Sequence, residues 1–128
     1  MIGAWLRNDS LGMNPGVLVI INADPRTSPR PAEAVRIAAG LGAWQRVVVT
    51  LYLRAAAVLV LSEHPDELVD GDLFRRYLPL VPECGGEVCA QRGAPLLKDV
   101  GEAPVPFREI NDDDLAGLAS ENDYLIRF

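Results

Sequence analysis

Two thiols, Cys84 and Cys89, are the residues of this chain best suited to nucleophilic chemistry. A cysteine attacks as its thiolate, and a neighbouring cation or a helix N-terminus lowers its pKa below the free value of about 8.5. Cys89 is followed by Ala90-Gln91-Arg92-Gly93, which makes Arg92 the expected stabiliser of a Cys89 thiolate. Cys84 precedes Gly85-Gly86, a pliable connection through which it could serve as a resolving thiol. Glu83 and Glu87 flank Cys84 and should oppose its ionisation, so Cys89 is the thiol expected to react. The alternative for Cys89 is a small apolar filler at the end of a strand.

Other groups offer less. The spacing of the two cysteines is not that of a Cys-x-x-Cys motif, and His64 is the only further soft ligand, so neither a metal nor another cofactor is expected. Arg26 and Arg30 stand beside a helix start and could hold an anion, yet Asp24–Arg30 contains no glycine and cannot form a phosphate loop. A tight proline-containing turn is the simpler reading. Asp112-Asp113-Asp114 resembles a carboxylate cluster but suits the first turn of a helix, where the dipole favours anions.

The elements that must position these groups alternate between strand and helix. Val17-Leu18-Val19-Ile20-Ile21 is apolar on both faces, as a central parallel strand requires. Ser28-Pro29 starts a helix whose Ala34, Ile37, Ala38 and Leu41 share one face, with Gly40 and Gly42 expected to stop it. Val47–Tyr52 is a second strand and Ala55–Leu61 a short buried helix, apolar nearly all round. A helix is expected over Asp72–Val81, and a third strand over Gly85–Cys89 with Cys89 at its carboxyl end. Val105–Ile110 forms a fourth strand, a helix starts at Asn111, and Tyr124–Phe128 closes the chain as a strand. That order predicts a three-layer α/β/α domain over residues 16–128, with a mostly parallel sheet of about five strands. Residues 1–15 read as an N-terminal extension.

The chain has 128 residues, enough for one domain with a real core. With 12 Lys and Arg against 18 Asp and Glu, its net charge of −6 argues against nucleic-acid binding, which needs a basic surface. The longest apolar run, Ala55–Leu61, is far short of the roughly 20 residues of a membrane span. Polar Arg7-Asn8-Asp9 comes too early for a secretory segment, so a cytoplasmic location with reduced thiols is expected.

Taken together, the strand Val17–Ile21 with Asn22, Asp24 and Pro25, the alanine-rich helix, Leu51-Tyr52-Leu53-Arg54 before Ala55-Ala56-Ala57-Val58, Val88-Cys89 with Arg92-Gly93, and the strand Tyr124–Phe128 resemble the DsrE/DsrF-like family. The likeness covers nearly all of residues 16–128. It implies a small α/β protein of the sulfur-relay type, assembled as a homo-trimer or hexamer. Cys89 would then accept sulfane sulfur as a persulfide from a donor protein and pass it to an acceptor, without a cofactor. Members without the cysteine act as scaffolds, which makes a non-catalytic interaction subunit the alternative.

Overall fold

The computed structural model describes residues 14–128, so most of the expected extension lies outside the described residues. Five parallel strands form one sheet in the order β4-β3-β2-β1-β5. They are β1 (Gly16–Ile21), β2 (Val48–Leu53), β3 (Glu87–Gln91), β4 (Arg108–Ile110) and β5 (Tyr124–Arg127). β1 is an interior strand, as its composition demands. Val17, Val19 and Ile21 enter one core while Leu18 and Ile20 enter another on the opposite face.

The two faces are covered very unequally. The larger core lies under helix α1 (Arg30–Trp44), the 3-10 helix Ala55–Leu61, and the helices α2 (Gly71–Tyr77) and α3 (Leu80–Glu83). On the other face α4 (Asp112–Glu121) packs against a smaller core of Leu18, Ile20, Tyr52, Cys89 and Ile110. This is the three-layer α/β/α arrangement expected from the alternating pattern.

Several boundaries differ from the sequence reading, each for a local reason. Helix α1 runs past Gly40 and Gly42 to Trp44, and Gln45 ends it in the left-handed conformation with φ 62°. Ser28 does not cap by the usual residue position; its Oγ accepts from Arg30 N at 3.1 Å, with Pro29 between them. The single helix expected over Asp72–Val81 is two, α2 and α3, because Pro79 has no N–H to continue α2. β4 is three residues long, since Pro106 cannot join a ladder of hydrogen bonds. Ala55–Leu61 is a tighter 3-10 helix whose Ala57–Leu61 are buried inside this one subunit, so its apolar character needs no second copy for cover.

A close approach fixes the start of α2. A methyl group on Gly71 would meet the Pro65 carbonyl oxygen at 2.0 Å. Gly71→Ala should therefore destabilise the fold by about 1–3 kcal/mol, an overpacking cost measurable as a lower urea midpoint. An unchanged midpoint would mean that the Pro65 turn yields freely.

Candidate functional site

Cys89 stands in the middle of β3, not at its carboxyl end. The strand starts two residues later than expected because Gly85, with φ 89°, turns the chain and Gly86 must pass close to the Val49 carbonyl. Pleating then sends Val88 and Ala90 into the larger core and Cys89 into the smaller one under α4. Its relative exposure is 0%.

Register decides what surrounds the thiol. Cys89 lies beside Tyr52 on β2 and Arg108 on β4. Glu87, two residues earlier on the same face, forms an ion pair with Arg108 at 3.0 Å. Burial is the main influence on Cys89 and Glu87 adds to it, while Arg108 acts in the opposite direction; together they push the thiol up to about 11. The environment therefore favours the neutral thiol, and a buried, protonated sulfur is a poor nucleophile.

The other two predicted residues do not join it. Arg92 lies beyond the end of β3, where its backbone N–H donates to Ile110 O and its guanidinium to Glu109 O at 3.2 Å. The cation in register with Cys89 is Arg108, which linear spacing could not reveal because it arrives from a different strand. Cys84 caps α3, half-buried, and its Cβ lies 3.3 Å from where a Gly42 Cβ would be. That places Cys84 against α1, on the opposite face of the sheet from Cys89. A bridge between the two thiols would have to pass through the sheet, so Cys84 is not positioned to resolve Cys89.

The remaining candidates have structural partners. Asp24 accepts from the backbone N–H and the guanidinium of Arg26, which closes the turn after β1 and engages the arginine. Asn111 and Asp114 form a reciprocal capping box at α4, as the acidic first turn suggested. Among the described residues no group of three or more His, Cys, Asp or Glu side chains is arranged to hold a metal, and no helix is long and apolar enough to cross a membrane. One buried group was missed by the sequence reading. Tyr52 is wholly buried beside Cys89, and its hydroxyl has no hydrogen-bond partner. Its strand position marked it as core, but nothing in the sequence marks a missing partner.

Comparison with solved structures matches 91% of this chain to 100% of a crystallised protein at a TM-score of 0.69 and 17% identity. The fold is that of the ychN protein of E. coli. No family model and no curated relative matches the chain. At this identity the likeness to ychN describes architecture alone.

Two outcomes test the site. Alkylation of Cys89 in the folded protein should be slow at neutral pH and accelerate only as the pH approaches about 11. The folded thiol is raised above its ordinary value of 9.0, so its stabilising contribution is present below that value and fades as the pH rises through about 11. Glu87→Gln removes an anion that disfavours the thiolate, and should move the alkylation profile to lower pH. A profile centred below 9 in the unaltered chain would contradict this account. Separately, Tyr52→Phe deletes a polar atom that makes no bond, so stability to urea should stay the same or rise. A loss above about 1 kcal/mol would show that the hydroxyl is satisfied in solution.

Proposed function

We propose that this chain is a non-catalytic interaction subunit of a DsrE/DsrF-like assembly. The observation that carries the reading is the state of Cys89: no exposed surface and a thiol pushed up to about 11. At neutral pH such a thiol is ionised in about one molecule in ten thousand, and an incoming donor sulfur has no line of approach to it. The ychN-like architecture supports the family resemblance read from the strand and loop motifs, and with it a homo-oligomeric assembly.

The second reading is the sulfur relay itself, and two observations favour keeping it in view. Arg108 sits opposite the thiol and acts to lower its pKa. The helix that covers Cys89, α4, buries none of its own residues fully, so the cover is thin. In a relay, the Cys89 thiolate would attack the outer sulfur of a donor persulfide. The donor S–S bond would break, its electron pair leaving with the donor as a thiolate, and Cys89 would hold the new sulfur as Cys–S–SH. An acceptor thiolate would then remove that sulfur, returning Cys89 to its thiolate form.

The two readings separate in one experiment. The native chain is incubated with a persulfidated thiol at neutral pH, and the intact mass is measured. The interaction-subunit reading expects no gain of a sulfur atom at Cys89. A gain that disappears in Cys89→Ser but persists in Cys84→Ser would overturn that reading and establish the relay.

A further inference from the structure

We propose that the cavity between the 3-10 helix Ala55–Leu61 and α2 binds a small primary ammonium compound. The apolar body of that compound would be about the size of a benzene ring. The inference depends on neither reading of Cys89, because the cavity lies on the α1 side of the sheet and the thiol faces the other. Its floor is Val60, Phe74 and Leu78, all buried members of the larger core. The space measures about 150 Å³. An apolar cavity of that order stays dry and takes up benzene. Close-packed interiors leave few voids larger than a water, so one that persists against the core has walls that cannot collapse into it.

These walls are rigid. Pro65, Pro79 and Pro104 line the space with rings that fix their own backbone. The Pro65 turn is held against Gly71, and the forked ion pair of Arg75 with Asp66, at 3.0 Å, ties that turn to α2. The same pair answers the charge of Arg75, the one cation lining the cavity. Glu63, the one carboxylate lining it, differs. Its backbone N–H donates to Val100 O at 2.8 Å, and its Oε1 accepts from Glu102 N at 3.2 Å. Gly101, with φ 75°, permits that approach, since a side chain there would come within 2.8 Å of the same oxygen. Glu63 Oε2 is thus held in place yet makes no hydrogen bond among the described residues; His64 Nε2 stands 3.7 Å away. A fixed carboxylate oxygen at the rim of an apolar cavity selects a cation with an apolar body. An ammonium brings three donors, and Ser62, which lines the same space, offers a second acceptor beside Glu63.

Benzylamine is the probe, titrated to about 10 mM into the full chain while the Val60 and Leu78 methyl signals are followed by NMR. They should shift saturably, with a dissociation constant on the order of 1 mM for a ligand of this size. Benzyl alcohol, which has the ring without the charge, should bind about fivefold more weakly. Benzoate and methylammonium should give no saturable shift, the first being repelled by Glu63 and the second lacking a body to fill the space. Glu63→Gln keeps an acceptor for Glu102 N–H at an exposed position, so the fold is retained. It should bring benzylamine down to the affinity of benzyl alcohol and leave benzyl alcohol unchanged. The proposal is overturned by any of three results. Benzylamine leaves both methyl signals unshifted; benzyl alcohol, benzoate or methylammonium matches it; or the Glu63→Gln chain binds it as tightly as the unaltered one. None of these results bears on sulfur uptake at Cys89, so the two tests fail independently.

Discussion

β1 has no polar side. Each residue from Val17 to Ile21 is buried, alternately toward one core and the other, and the whole architecture follows from covering both faces. Placing β1 between β2 and β5 satisfies its backbone, and parallel pairing on each side requires crossovers that return over the sheet. Three of those crossings deposit helices on the α1 face. One crossing, the connection from β4 to β5, supplies α4 to the other.

This imbalance governs the chemistry open to Cys89. The thiol points toward the thinly covered face, where the nearest charges come from neighbouring strands and not from the loop that follows it. Glu87 and Arg108 largely answer each other as an ion pair, so the apolar surroundings have the greater say in the state of the sulfur. Tyr52 shares that enclosure with its hydroxyl unanswered. The site is thus a small apolar core enclosing one thiol and one hydroxyl, with its ionic pair at the rim.

Much of the fold was legible because hydrophobic patterning dictates it. The run Val17–Ile21, the small-residue face of α1 and the acidic start of α4 each have one sensible structural use. Prolines 79 and 106 shortened elements that pattern alone extended, since a missing N–H overrides an apolar stripe. The site was less legible because it depends on register. A two-residue shift at Gly85-Gly86 moved Cys89 from the end of its strand to the middle, and the side on which Cys84 packs depends on the turn after α3. Neither Arg108 nor Tyr52 could be assigned to Cys89 until the strand order was known.

The placement of β5 also has a consequence for synthesis. Its partner strand is made near the beginning of the chain and waits for it; Gly16 N–H donates to Asp123 Oδ2 across 107 residues of sequence. Until β5 has left the ribosome, one edge of the most apolar strand has no partner. Such distant pairing slows folding and leaves a nascent chain open to misassociation. This four-residue strand therefore acts as a latch, closing only after the other four strands have been made.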